Sequence, residues 1–288
     1  MRIREHADST PKPMVNIGYQ PILWHVMKYY AHYGHKDFIL CLGYKADEIK
    51  RYFLNYNECM SNDFVISEGG QRVKLLQSDI QDWNITLVDT GTSANIGQRL
   101  QAVRPYLEGE DVFLANYTDG LSDLRLPDLI DLRQRKKAVA AFLSVRPPHT
   151  FHAVEAAGDG MVSRVSPITR SPIWINGGFF VMTPEIFNAM KPGDDLVNGP
   201  FDRLIAKQKL ATLKYEGFWS CMDTYKEKQS LDEMVTRGET PWAVWDRPSG
   251  QSARRAPGVL AANANGNGNH CRPWGANGGA THDAGTPS

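Results

Sequence analysis

Three residues carry the most chemical promise in this chain: Asp119, Asp223 and Lys12. Asp119 follows the apolar stretch Asp111-Val-Phe-Leu-Ala and precedes Gly120, whose missing side chain lets a ligand come close to the backbone. A carboxylate so placed suits a hard cation such as Mg²⁺, which takes one or two protein carboxylates and completes its shell with phosphate oxygens. The other use of such a residue is an Asx-type turn after a strand. Asp223, in Phe218-Trp219-Ser220-Cys221-Met222-Asp223-Thr224, reads by itself as the cap of the helix that follows. Lys12 stands between Pro11 and Pro13, where the ring constraints fix part of the backbone before folding. An ammonium on so stiff a stem can rest on a phosphate with little further loss of entropy; the plainer reading is a surface lysine in an extended loop. Asn176-Gly177-Gly178-Phe179-Phe180 opens a strand with two glycines, which suits either close approach of a sugar or a bulge.

Other groups promise less. Of His25, His32 and His35, only the first two share a helical face, and no carboxylate joins them at ligand spacing, so a solvated face is expected rather than a metal site. Cys41, Cys59, Cys221 and Cys271 are isolated, form no Cys-x-x-Cys pair, and are expected to be reduced.

These residues need elements to position them. Ile22, Leu23, Val26, Met27 and Tyr30 recur at helical spacing and Gly34 stops the helix. A short apolar run, Phe38-Ile-Leu-Cys-Leu, reads as a strand, and residues 46–56 as a helix. Ile85-Thr-Leu-Val is a strand, 97–107 a helix, 111–115 a strand, 127–136 a helix and 138–145 a strand. Continuous apolar strands, each followed by a helix, predict an α/β domain with a mainly parallel sheet and helices on both faces. Ligands bind such sheets at the carboxyl ends of the strands, which is where Asp89 and Asp119 fall. Beyond residue 150 shorter strands, at 151–155, 161–165, 178–182 and 211–215, predict an antiparallel half that faces the substrate.

Composition narrows the classes. The chain has 288 residues, 42% of them hydrophobic, with 32 basic residues against 32 acidic ones. That balance removes the electrostatic footprint of a nucleic-acid binder, and no apolar run is long enough to span a bilayer. The first twenty residues show no secretory signal, so a cytoplasmic location is expected. Residues 246–288, rich in Gly, Ala, Asn and Pro, are predicted to be a disordered tail beyond a folded domain of residues 1–245.

Taken in order, Pro11-Lys12-Pro13-Met14-Val15, Pro21-Ile22-Leu23-Trp24-His25, Thr86-Leu87-Val88-Asp89-Thr90-Gly91, Asp119-Gly120-Leu121-Ser122-Asp123, Trp174-Ile175-Asn176-Gly177-Gly178-Phe179-Phe180, Met222-Asp223-Thr224 and Pro241-Trp242-Ala243-Val244-Trp245 resemble the bacterial glucose-1-phosphate cytidylyltransferases, a branch of the sugar-phosphate nucleotidyltransferases. The resemblance implies a Rossmann-like fold of the nucleotide-diphospho-sugar transferase type. It implies in-line attack by the phosphate oxygen of a sugar 1-phosphate, glucose 1-phosphate in this branch, on the α-phosphorus of a nucleoside triphosphate, CTP. Pyrophosphate leaves, and the nucleotide sugar serves surface-polysaccharide biosynthesis. Such a reaction runs on positioning and charge neutralisation. By resemblance Asp119 and Asp223 match two Mg²⁺ ligands, and Lys12 matches a lysine that steadies the α-phosphate. Asn176 and Gly177 would face the sugar, while Asp89, Thr90 and Gly91, with Gly97 and Arg99, would lie near the nucleotide. A homo-oligomer is implied as well.

The chain also departs from that pattern. Family members begin with a strand and Gly-Gly-x-Gly-x-Arg, a loop that cradles the triphosphate. Here Arg2 takes the place of that arginine, the first strand is missing, and Met1 is read as not the natural start. Where the family has Gly-Arg-Tyr-Gly after Pro-Pro, this chain has His149-Thr150-Phe151-His152. Where it has Glu-Lys-Pro, whose lysine binds the sugar's phosphate, there is only Val165-Ser166-Pro167-Ile168-Thr169-Arg170, one residue shorter, in which Arg170 stands at a shifted position and is not expected to replace that lysine; Thr118 replaces a glycine. Two other readings stay open: a catalytically silent nucleotide or sugar-phosphate binder with a regulatory or partner role, and a truncated gene product without stable activity.

Overall fold

The computed structural model of the chain describes residues 10–147 and 152–246. Arg2, His149 and the tail lie outside the described residues. One compact unit runs to Leu54 and resumes at Trp83; a second begins at Asn55 and runs to Asp82.

In the larger unit, β1 (Asn16–Ile17) and β2 (Gln20–Pro21) make a small hairpin that delivers the chain into helix α1 (Ile22–His32). Strand β3 (Asp37–Leu42) and helix α2 (Ala46–Leu54) follow. The smaller unit holds an antiparallel hairpin, β4 (Phe64–Ser67) and β5 (Arg72–Leu75). This hairpin was not expected from the sequence, because its strands are polar on the turn side and show no sustained period. Back in the larger unit come β6 (Asn84–Asp89), α3 (Ile96–Val103), β7 (Phe113–Asn116), β8 (Gly120–Ser122), α4 (Leu126–Lys136), β9 (Ala140–Val145), β10 (His152–Ala156), β11 (Val162–Pro167), β12 (Ile175–Met182), α5 (Pro200–Ala206), β13 (Leu210–Tyr215), β14 (Trp219–Cys221) and α6 (Tyr225–Thr236).

Four strands form the central sheet in the order β13, β9, β12, β7. β13 is parallel to β9, and β12 runs antiparallel to both of its neighbours. The expected antiparallel half therefore holds for β10, β11 and β12 but not for β13: the connection through α5 carries the chain back before β13 begins, so it enters the sheet in the direction of β9. β3 and β6 make a separate parallel pair, with Asp37 opposite Asn84 and Leu42 opposite Asp89. β8 pairs with β14.

Alternation along the strands splits the core into two layers. On one face Ala141, Leu143, Val145, Phe179 and Val181 pack with Ile22, Val26 and Tyr29 of α1, Leu126 and Leu129 of α4, and Leu231 of α6. On the other, Ala140, Phe180 and Met182 pack with Leu100 and Val103 of α3 and Phe201 and Leu204 of α5. Helices thus cover both faces, and residues such as Phe179 and Phe180, almost fully buried, each contribute about 2–3 kcal/mol of transfer free energy.

The histidine reading needs one correction. His25 is half-buried, packed against the aromatic rings of Trp24, Trp242 and Trp245 rather than lying on a solvated face. This partial burial is tolerated because both ring nitrogens are satisfied: Nε2 lies 3.0 Å from the Ile17 carbonyl and Nδ1 accepts from Trp242 Nε1 at 3.3 Å. Burial holds the imidazole neutral, with its pKa lowered to about 4. Cys41 and Cys221 are free thiols, whereas Cys59 is disulfide-bonded, against the expectation of reduced cysteines. No helix among the described residues is long and apolar enough to cross a membrane.

Candidate active site

Lys12, Asp119 and Asp223, far apart in sequence, meet at one point. The Lys12 ammonium donates to Asp119 Oδ2 and to Asp223 Oδ1. Each partner is brought there by a different device. Pro11 leads, with its carbonyl accepting from Met14 at 2.8 Å, into a single 3₁₀ turn over Lys12–Met14, which aims the lysine inward. Asp119 lies in the tight connection between β7 and β8, and its carbonyl accepts from the Met222 amide at 2.9 Å, which ties the two aspartate loops together. Its carboxylate goes to Lys12, so it is not consumed by a turn of its own.

Asp223 does not cap α6. That task falls to Thr224, whose side chain accepts from the Glu227 amide at 3.2 Å while the Glu227 carboxylate accepts from the Thr224 amide at 2.8 Å. The same carboxylate accepts from the Asp223 amide at 2.8 Å. With the helix end satisfied, the Asp223 side chain is left to project into the site, where it is 63% exposed against 27% for Asp119.

Electrostatics at this point are dominated by the triad. Burial works against the Lys12 ammonium, but the two carboxylates outweigh it and hold its pKa above the ordinary lysine value. Nearby, burial and then the Glu227, Asp223 and Asp119 carboxylates push the Cys221 thiol up to about 12, so it is an uncharged filler there.

Asn176 and Gly177 border this centre. Asn176 accepts from the Gly178 amide at 2.9 Å and reaches the Tyr117 hydroxyl at 3.3 Å, which links β12 to the end of β7. The Gly177 carbonyl accepts from Trp219 Nε1 at 2.8 Å, and a side chain on Gly120 would stand 3.7 Å from that carbonyl. The register of β12 against β9 shifts between Asn176 and Phe180, so the two glycines do form a bulge. Gly178, at φ +78°, has Tyr117 packed where its Cβ would be.

The expected nucleotide residues are tied into the frame. Arg99 donates to the Leu42 carbonyl at 3.0 Å and to Thr90 Oγ1 at 2.7 Å, locking the ends of β3 and β6 together. Thr90 donates to the same carbonyl, and Asp89 accepts from the Gly91 amide at 3.0 Å. At Gly97 a Cβ would stand 2.3 Å from the Asp194 carbonyl oxygen, so glycine is required there by packing alone. These residues shape the loop that follows β6 and α3's approach to it.

Two features were missed by sequence reasoning. Tyr117 braces Asn176 and Gly178, and Arg146 lies with its guanidinium 4.1 Å from the Trp174 ring centre. Neither has a local signature, since strand register creates both meetings.

Two carboxylates and an ammonium converging at the carboxyl ends of a sheet suit phosphate chemistry, and relatives narrow it. Over 246 residues the chain is 36% identical to a glucose-1-phosphate cytidylyltransferase of Salmonella typhimurium, a match covering 85% of this chain and 95% of that protein. The chain belongs to the glucose-1-phosphate cytidylyltransferase family. A probable glucose-1-phosphate cytidylyltransferase of Bacillus subtilis matches at the same identity and coverage. Among solved structures, a putative glucose-1-phosphate thymidylyltransferase from Bacillus anthracis in complex with a sucrose superposes with TM-score 0.57 at 12% identity, covering 85% of this chain and 91% of that one. The fold is thus the Rossmann-like α/β fold of nucleotide-sugar pyrophosphorylases. No family model matches the chain.

Proposed function

We propose that this member of the cytidylyltransferase family joins a sugar 1-phosphate to a nucleoside triphosphate with release of pyrophosphate, glucose 1-phosphate and CTP being the substrates its relatives' names point to. The observation that carries the reading is the meeting of Lys12, Asp119 and Asp223 at the carboxyl ends of the strands. The donor set fits a divalent cation: two hard carboxylate oxygens already share one positive charge, and their partial exposure leaves room for phosphate oxygens to complete a shell. Asp119 and Asp223 would hold Mg²⁺, which when bound neutralises charge on the phosphates and orients them for displacement. Lys12, released from one carboxylate, places its ammonium on the α-phosphate, where negative charge gathers as the oxygen attacks. Asn176 and Gly177, at the start of the bulge, would present amide and backbone groups to the sugar.

A cytoplasmic location and a homo-oligomer complete this reading. The test is Mg²⁺-dependent pyrophosphate release from CTP and glucose 1-phosphate. Full activity in the absence of divalent cation would contradict the metal role, and no release from a folded chain would favour a silent binder.

A further inference from the structure

A second charged cluster lies on the sheet outside the Lys12 centre. At the end of β9 the Arg146 guanidinium is seated 4.1 Å from the Trp174 ring centre, and the Lys214 ammonium of β13 is 5.3 Å from the same centre. The register explains the meeting. Val145 pairs with Ile175 and with Tyr215, so the residues that flank them, Arg146, Trp174 and Lys214, project to the opposite face. That face is the one that carries Ser144 and Asn176, which are directly paired. Asn176 therefore has the Tyr117 end of β7 on one side, leading to Asp119, and the cation pair of β9 and β13 on the other.

Two cations on one ring repel each other, and little nearby offsets this. Glu216 stands 3.9 Å from Arg146, at the long end of ion-pair range, and is 75% exposed. Arg146 spends one N–H on the Ser171 carbonyl at 2.8 Å, which fixes the guanidinium in place while leaving other donors on its fork. Lys214 makes no ion pair among the described residues. Cation–π seating holds both charges at low entropy cost, and an oxyanion between them would relieve their repulsion through charge-assisted hydrogen bonds.

We infer that Arg146 and Lys214, seated on Trp174, form an oxyanion site for the sugar substrate, a specificity site that acts beside Asn176. This rests on the nucleotidyltransferase reading of the centre. The oxyanion has two sources of the same chemistry: the 1-phosphate itself, or a second acidic group carried by the sugar.

The experiment uses the full chain and the variants Arg146→Met and Lys214→Met, which keep the apolar stem against the indole and remove the charge, with Arg146→Lys as the conservative rescue. Kinetics are read with CTP and either glucose 1-phosphate, glucuronate 1-phosphate or glucose 1,6-bisphosphate, and thermal midpoints check the fold. The expected result is a rise of about tenfold or more in the KM of a sugar phosphate, with the KM of CTP unchanged and Arg146→Lys partly restored. A rise already seen with glucose 1-phosphate assigns the site to the 1-phosphate; a rise confined to the doubly acidic sugars assigns it to the second group. Unchanged KM for all three sugars, or equal rises for sugar and CTP, overturns the inference while leaving the proposed function standing. If the chain releases no pyrophosphate with any pair, the same variants are titrated calorimetrically with glucose 1-phosphate, glucose 1,6-bisphosphate and glucose. Phosphate-dependent binding that weakens tenfold in the variants supports the site without the enzyme. Binding unaffected by the variants, or no binding at all, overturns it.

Discussion

Lys12 stands between two carboxylates that would otherwise repel each other, and this sets what each substitution should do. Asp223→Ala is expected to lower Mg²⁺-dependent turnover by about 10²- to 10³-fold, the usual loss when one charge-stabilising group goes. The side chain is largely exposed and caps nothing, so its thermal midpoint should stay within the small range of surface substitutions. Turnover unchanged in that variant would sink the metal assignment. Lys12→Met should cost turnover on a similar scale, and its Mg²⁺ affinity should rise because the two carboxylates lose their internal counter-ion; a fall in affinity would contradict the arrangement. The three residues were singled out in the sequence, but not their meeting. Spacing alone left Asp119 open between a ligand and a turn and favoured a surface role for Lys12, so their pairing came only from the resemblance. Asp223 looked like a cap, and only the reciprocal bonds of Thr224 and Glu227 show that the cap lies one residue further on.

Elements hold these groups through contacts that sequence periods do not record. The capping box of α6 is expected to contribute about 1 kcal/mol, so Thr224→Ala should lower stability by that amount. It should also raise the KM for Mg²⁺, because the Asp223 amide shares the Glu227 carboxylate with the box. Denaturant unfolding with metal titration checks both, and an unchanged metal response would show that the helix end and the site are independent. Gly97 was expected to serve the nucleotide, yet its want of a side chain is a packing need against the Asp194 carbonyl. Gly97→Ala should therefore cost about 1–3 kcal/mol of stability by overpacking, read as a lower denaturation midpoint. A variant with full stability and a raised KM for the nucleotide would reverse that assignment. The helices α1 and α4 and the strands β3, β6 and β9 were readable because apolar runs of the right period mark them. The direction of β13 was not, since it depends on where α5 returns the chain.

At the scale of the molecule, the closing Trp242 and Trp245 pack onto the start of α1 through His25, so the end of the described chain is fastened beside the loop that carries Lys12. His25 is held neutral when folded, with a pKa of about 4 against 6.5 when exposed. Because the folded value is the lower one, the unfolded chain binds the proton first. His25 therefore leaves stability intact above 6.5 and diminishes it as pH falls toward 4, by a few kcal/mol at the acid end, on the order of 3. His25→Gln should be less stable at neutral pH and should lose less on acidification from 6.5 to 4 than the parent chain, as followed by urea unfolding; parallel curves would contradict the linkage. The fold class, both helical layers and the family were legible from ordered segments spread over residues 11–245, whereas the meeting of Arg146, Trp174 and Lys214 required the sheet register. The most direct measurement for the whole scheme is pyrophosphate release, with and without Mg²⁺, from a panel of nucleoside triphosphates and sugar 1-phosphates, run on this chain and on Asp223→Ala. Release with CTP and a glucose-type 1-phosphate that needs Mg²⁺ and falls at least about 10²-fold in the variant is the expected result. Equal release by both chains, or silence from a folded and ligand-responsive parent, would contradict it.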